Sequence, residues 1–66
     1  MTIMLNGEQY EVDDAITVTA LIESIAGTTR GSAVVVDGEV VPRSGWATYA
    51  LRAGQSVELI TAKQGG

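Results

Sequence analysis

Two turn dipeptides, Asn6-Gly7 and Asp37-Gly38, constrain the fold of this chain more than any other feature. Asn-Gly and Asp-Gly are the pairs that a type I′ turn favours, because both central residues of that turn take positive φ angles. Apolar and β-branched residues flank each pair. The sequence therefore predicts two β-hairpins, over residues 2–12 and 33–41.

The first hairpin is expected to turn one face towards the core. A turn at Asn6-Gly7 places Leu5 opposite Glu8 and Ile3 opposite Tyr10. Because side chains alternate between the faces of a strand, the predicted core face carries every second residue of both strands: Ile3, Leu5, Tyr10 and Val12.

A change of period between the hairpins indicates a helix. Apolar residues follow the spacing i, i+3, i+4, i+7 at Val18, Leu21, Ile22 and Ile25. Thr17 is a typical N-cap residue, and Gly27 lies where a left-handed C-cap is expected. One short amphipathic helix is predicted.

The stretch after the second hairpin is expected to be irregular over residues 43–46. Pro42 cannot donate a ladder hydrogen bond, so it closes the preceding strand or lies at an edge. Trp46 is expected to anchor this loop in the core, since a tryptophan in a small domain buries a large apolar area.

A final strand over residues 56–62 is predicted to face the core with Val57 and Leu59 and the solvent with Glu58. The order strand, strand, helix, strand, strand, strand lets one helix cover one face of a mixed sheet, with the first and last strands parallel. This is an α+β fold of the β-grasp type, about five strands in one domain at residues 1–62, followed by a flexible tail at residues 63–66.

Composition argues against several classes of function. The 66 residues contain no cysteine and no histidine, which removes thiol nucleophiles and the usual zinc ligands and makes autonomous catalysis unexpected. A net charge of −4 and dispersed basic residues disfavour nucleic acid. The acidic residues lack metal-loop spacing, so no metal site is predicted. No apolar run is long enough for a membrane span, and a soluble, cytoplasmic protein is expected.

The chain ends in Gly65-Gly66, which points to the terminus as a substrate for another protein. Glycine has no side chain to collide with a narrow channel and takes up backbone angles that other residues avoid. Such a tail can thread into a partner's active site and present its carboxylate there.

The whole chain resembles the ThiS family of sulfur carrier proteins, which are ubiquitin-like β-grasp proteins of thiamine biosynthesis. Three segments carry the resemblance: Asn6-Gly7, residues 41–46 with the sequence Val-Pro-Arg-Ser-Gly-Trp, and residues 53–62 running on to Gly65-Gly66. The second and third are the discriminating ones. Departures occur at Gly45 and Gln55, where relatives often carry acids, and in the Lys63-Gln64 pair.

The resemblance implies that the carrier is a protein co-substrate and not an enzyme. A ThiF-like adenylyltransferase, using ATP and Mg²⁺, would activate the carboxylate of Gly66, with Gly65 assisting tail threading. Sulfur from a donor such as a cysteine desulfurase or rhodanese would give a thiocarboxylate, which would supply the thiazole synthase ThiG. The carrier itself would hold no cofactor.

A docking surface is predicted from the residues themselves. On adjacent parallel strands, Met4 and Ile60 would project from the face opposite the helix and leave exposed apolar area near the tail. Lys63 and Gln64, which flank the glycines, are further docking candidates.

Three alternatives remain open at the level of sequence. One is a carrier like the small subunit of molybdopterin synthase, against which the short length and residues 42–46 argue. Another is a ubiquitin-like modifier that forms isopeptide bonds with lysines. The last is a β-grasp interaction module with an incidental tail.

Overall fold

A single mixed sheet and one helix make up the computed structural model, which describes residues 1–61. The elements in chain order are β1 (Thr2–Leu5), β2 (Glu8–Glu11), α1 (Val18–Ala26), β3 (Ser32–Val36), β4 (Glu39–Val40), a 3-10 helix (Arg43–Gly45) and β5 (Ser56–Thr61). The predicted end of the last strand at residue 62 and the predicted tail at 63–66 lie outside the described residues.

The five strands have the spatial order β2-β1-β5-β3-β4. β1 and β5 are parallel neighbours, whereas β1 with β2, β3 with β4 and β3 with β5 are antiparallel. The predicted register of the first hairpin is confirmed, because Ile3 lies opposite Tyr10 and Leu5 opposite Glu8. The arrangement is the expected β-grasp.

Both hairpin turns have the backbone that their residues predict. The φ angles are 50° and 84° at Asn6 and Gly7, and 50° and 85° at Asp37 and Gly38. Two successive positive φ angles define a type I′ turn, which matches the right-handed twist of the strands it joins.

The helix begins and ends where its capping residues predict. Ala20 N–H donates to Thr17 Oγ1 (3.2 Å), which satisfies one of the free donors of the first turn. Gly27 has a φ of 77°, and its N–H donates to the Glu23 carbonyl (2.9 Å). This left-handed C-cap stops the helix after nine residues.

The core lies between the helix and one face of the sheet. Its buried apolar residues are Ile3, Val18, Leu21, Ile22, Val34, Val36, Val41, Trp46, Leu51, Val57 and Leu59. The predicted core face is corrected at Tyr10, which is 38% exposed, and Ile25, the last residue of the helical apolar spacing, is 40% exposed. Tyr10 belongs to the outermost strand β2, and Ile25 lies in the last helical turn before an exposed loop.

The segment after Pro42 is more regular than expected, because Arg43–Gly45 form a turn of 3-10 helix. The predicted anchoring of Trp46 is confirmed by its burial, with 3% exposure. Its indole Nε1–H donates to the Val41 carbonyl (2.8 Å), and the Arg43 guanidinium lies 4.9 Å from the ring centroid.

Candidate functional site

Strand β5 is the element that leads to the terminal residues. It lies inside the sheet between β1 and β3, with Val57 and Leu59 buried beneath the helix as predicted. β3 pairs with it over five positions, from Val36 opposite Val57 to Ser32 opposite Thr61. β1 pairs only with its first two residues, so β1 gives no strand partner to residues 58–61.

The side chain of Asn6 occupies the place where β1 stops. Its backbone N–H donates to the Val57 carbonyl (2.8 Å), which is the last ladder contact between the two segments. Beyond Val57, the hydrogen bonds to β5 come from the side-chain amide of Asn6. Leu59 N–H donates to Asn6 Oδ1 (2.8 Å), and Asn6 Nδ2–H donates to the Leu59 carbonyl (3.2 Å). A side chain thus completes the hydrogen bonding that a longer β1 would have supplied.

Asp37 makes the corresponding contacts at the start of β5. Ser56 N–H donates to Asp37 Oδ1 (2.9 Å), and Gln55 Nε2–H donates to Oδ2 (3.1 Å). These two hydrogen bonds, with a smaller contribution from the positive charge of Arg52, hold the pKa of the Asp37 carboxyl below its ordinary value. Gln55 is suited to this position because a carboxylate there would face the carboxylate of Asp37.

The face of the sheet opposite the helix carries an exposed apolar cluster around Ile60, which is 61% exposed. Ala33 lies opposite Ile60 on β3, and Val35 lies opposite Val40 on β4. Paired residues of neighbouring strands project from the same face, and Val40 is 74% exposed. We call Ala33, Val35, Val40 and Ile60 the open-face patch.

Met4 shares this face with Ile60 but lies apart from the open-face patch. It is half-buried and lies opposite Ser56, four residues before Ile60 along β5. Four residues of strand span about 13 Å. Met4 and Ile60 thus lie on the face opposite the helix, as the sequence predicts, whereas the apolar contribution of Val35 and Val40 to this face was not predicted. The unbroken apolar run of residues 33–36 was the available signal, since such a strand is apolar on both faces.

One carboxylate lies next to the open-face patch. Glu58 projects from β5 beside Ile60 and lies opposite Val35, whereas Glu11, on the outer strand β2 opposite Thr2, is on the same face but far from Ile60. Over the strands of residues 1–61, this face carries no lysine or arginine. An apolar surface with a carboxylate beside it is complementary to a partner that offers apolar side chains and a basic group.

The remaining predicted site residues, Lys63, Gln64, Gly65 and Gly66, lie outside the described residues. Within residues 1–61 there is no group of three or more potential metal ligands and no helix of the length and apolar character that crossing a bilayer requires. A groove of about 370 Å³ runs along β4, lined by Val36, Val40 and Tyr49 among others. Val36 pairs with Val57, so this groove lies towards the start of β5 and away from Thr61.

Comparison with known proteins relates the chain to one family. The model of the ThiS family matches residues 3–66. The crystal structure of the thiamine biosynthesis protein ThiS from Geobacter metallireducens is 28% identical, with a TM-score of 0.81 and 100% of each chain covered. The solution structure of a thiamine biosynthesis protein from the same organism is also 28% identical, with a TM-score of 0.79, covering 100% of this chain and 88% of the other. A search of curated proteins finds no match.

Proposed function

Because this chain belongs to the ThiS family of sulfur carrier proteins, we propose that it carries sulfur on Gly66 as a C-terminal thiocarboxylate for thiazole formation. The observation that supports this residue most directly is the extent of the family match, which continues to residue 66 and includes both terminal glycines. The two related solved structures are proteins of thiamine biosynthesis, which favours that pathway over the synthesis of molybdopterin.

The chemistry requires a partner because a free carboxylate is a poor acceptor of nucleophiles. An α-carboxyl titrates near a pKa of about 3.5, so it is an anion at neutral pH. As an anion it can attack the α-phosphorus of ATP, with release of pyrophosphate, in a ThiF-like adenylyltransferase that holds Mg²⁺. The persulfide of a donor enzyme, such as a cysteine desulfurase or rhodanese, then displaces AMP and gives an acyl disulfide. A second thiol attacks the donor's sulfur in this disulfide, which forms a new disulfide and releases the terminus as a thiocarboxylate. The thiocarboxylate so formed delivers its sulfur to the thiazole synthase ThiG.

The open-face patch is the surface that we assign to docking of the adenylyltransferase. Ile60 lies six positions before Gly66, so an enzyme bound here has the terminus within reach of its active site. Burial of an exposed isoleucine supplies apolar contact area, and the carboxylate of Glu58 can pair with a basic group of the enzyme. Met4 is a peripheral contact, whereas Lys63 and Gln64 belong to the segment that would enter the active site.

The docking surface is tested with Ile60→Glu. This change places a charge within the open-face patch, and we expect at least a tenfold rise in the dissociation constant for the adenylyltransferase, measured by calorimetry. Ile25→Glu is the matched control, since Ile25 is an exposed isoleucine on the helix that covers the other face. Equal affinity of the two variants would remove Ile60 from the interface.

The carrier chemistry is tested by intact-protein mass spectrometry. After incubation with ATP, Mg²⁺, the adenylyltransferase and a sulfur source, the chain should gain the mass difference between sulfur and oxygen, and fragmentation should locate it at Gly66. A variant that lacks Gly66 should gain no mass. An unmodified wild-type terminus would refute the proposed function and favour a β-grasp interaction module.

A further inference from the structure

We infer that Asn6 is a positioning residue for the reaction at the terminus: its side-chain amide holds residues 58–61 of β5, the strand that leads to the terminal segment, in one conformation against the sheet. This inference rests on the proposed function, in which residues 62–66 enter a partner's active site. It assigns to Asn6 a role that its place in a turn does not require, since glycine would form the same turn.

The contacts of Asn6 differ from those of an ordinary turn residue. Its side chain bonds to the backbone of a residue 53 positions away, and it does so twice, as acceptor from Leu59 N–H and as donor to the Leu59 carbonyl. A primary amide is the one side-chain group that reproduces the donor and acceptor pair of a peptide unit. Only asparagine and glutamine carry it, and asparagine also tolerates the φ of 50° found here.

Removal of these bonds would free one side of the strand end. Among the strands of residues 1–61, β3 would be the only remaining neighbour of residues 58–61, because β1 pairs no further than Val57. A strand held on one side frays more readily than one held on both. Residues 58–61, to which the terminal segment is attached, would then sample several conformations, and only a fraction of the molecules would be ready for the enzyme.

Loss of the Asn6 side chain should change one kinetic constant of adenylation and not the other. When only a fraction of a ligand is in the competent conformation, its apparent dissociation constant rises by the inverse of that fraction. The chemical step in the bound complex is unaffected, because the same terminus reaches the same active site. Loss of Asn6 should therefore raise the KM of the adenylyltransferase for the carrier and leave kcat unchanged.

Asp37 offers a matched control within the same molecule. It has the same φ of 50°, precedes a glycine in the same type of turn, and also bonds through its side chain to the backbone of β5. Its contact is with Ser56, five residues before Thr61 and at the opposite end of the strand. Asp37→Gly thus removes a comparable side-chain hydrogen bond to β5 and leaves the bonds between Asn6 and Leu59 in place.

The experiment measures adenylylation by pyrophosphate release, with the concentration of carrier varied, for wild type, Asn6→Gly and Asp37→Gly. We expect KM to rise about three- to tenfold for Asn6→Gly at constant kcat, and to stay within twofold of wild type for Asp37→Gly. Hydrogen exchange at the Leu59 amide should quicken in Asn6→Gly alone. Asn6→Asp, which keeps the side-chain shape but loses the donor to the Leu59 carbonyl, gives the same test if the glycine variant does not fold.

The outcomes separate this inference from the proposed function. An unchanged KM in both Asn6 variants refutes the positioning role while wild type is still adenylated. An equal rise in KM for Asn6→Gly and Asp37→Gly also refutes it, because general loosening of the sheet would then explain both. A wild-type carrier that is not adenylated refutes the proposed function itself, and the positioning role with it.

Discussion

Three residues other than glycine have positive φ angles within residues 1–61: Asn6, Ala15 and Asp37. Asparagine and aspartate tolerate this region because their short polar side chains can bond locally. Ala15 has no such compensation at a φ of 58°, and its side chain is exposed, so packing does not repay the strain. It occupies the turn in which Ile16 N–H donates to the Asp13 carbonyl (3.2 Å).

Ala15→Gly is therefore expected to stabilise the protein. A left-handed conformation costs an L-residue about 1–2 kcal/mol. Glycine avoids this cost, but its larger chain entropy stabilises the unfolded state by about 0.5–1 kcal/mol. The free energy of unfolding should rise by about 0.5–1 kcal/mol in urea titrations. Ala53→Gly is the control, because Ala53 is also exposed in a turn but is not among the positive-φ residues. That variant should be slightly destabilised, and a gain of equal size in both would contradict the strain at Ala15.

The hydrogen bonds that the Asp37 carboxylate accepts make the free energy of unfolding depend on pH. Its pKa is lowered from 3.8 in the folded protein, chiefly by the hydrogen bond from Ser56 N–H. A carboxyl whose folded pKa is depressed binds protons more readily when unfolded, so its stabilising effect is present above 3.8 and is lost as pH falls through the lower, folded pKa.

Asp37→Asn should accordingly make the free energy of unfolding depend less on pH in the acid range. Asparagine keeps the turn and an acceptor for Ser56 N–H but does not titrate. Urea unfolding between pH 7 and pH 2.5 should show wild type losing more stability than the variant, with the difference developing below 3.8. Parallel profiles would mean that Asp37 contributes nothing to acid sensitivity.

Among the elements, the 3-10 helix and the tryptophan after it close the end of the core next to β4. The indole N–H bonds to the Val41 carbonyl (2.8 Å) across five residues, which folds the segment back on itself. Trp46 is thus both a large buried surface and a donor that satisfies a backbone acceptor.

Trp46→Phe tests the buried area and the hydrogen bond of the indole together. It removes the donor to the Val41 carbonyl and leaves a cavity beside the smaller ring, for an expected loss of about 2–4 kcal/mol in the free energy of unfolding. Arg43→Ala is the comparison, since it removes only an exposed cation over the ring, worth about 0.5–1 kcal/mol. Equal losses in thermal or urea unfolding would contradict the dominance of the buried indole.

Elements defined by local chemistry were predictable from the sequence. Asn6-Gly7 fixed both the turn and the register of its strands, and Thr17 and Gly27 marked the ends of the helix. Burial was less predictable because it depends on neighbours distant in the chain: Tyr10 is apolar in pattern but lies on an edge strand. The bond from Asn6 to Leu59 was not predictable, since no local signal links residues 53 positions apart.

On the scale of the whole fold, α1 covers one face of the sheet, and no other element of residues 1–61 covers the opposite face. The core is formed on the helix side, with Val57 and Leu59 directed inwards from β5. The same strand directs Ile60 outwards and leads to the residues that we propose to carry sulfur. Strand β5 therefore serves stability through one face and recognition through the other, because successive side chains alternate.

This division predicts that stability and function can be changed separately. Deletion of Gly65 and Gly66 should leave the urea midpoint unchanged, because the core of residues 1–61 is formed by apolar side chains and glycine has none, and should abolish adenylation. Val57→Ala should lower the free energy of unfolding and leave adenylation unchanged. It opens a cavity at a fully buried position, with an expected loss of about 1–3 kcal/mol, but its folded molecules should be adenylated with the wild-type kcat and KM. Loss of stability on deletion of the glycines would show that they contribute to the fold as well as to the chemistry.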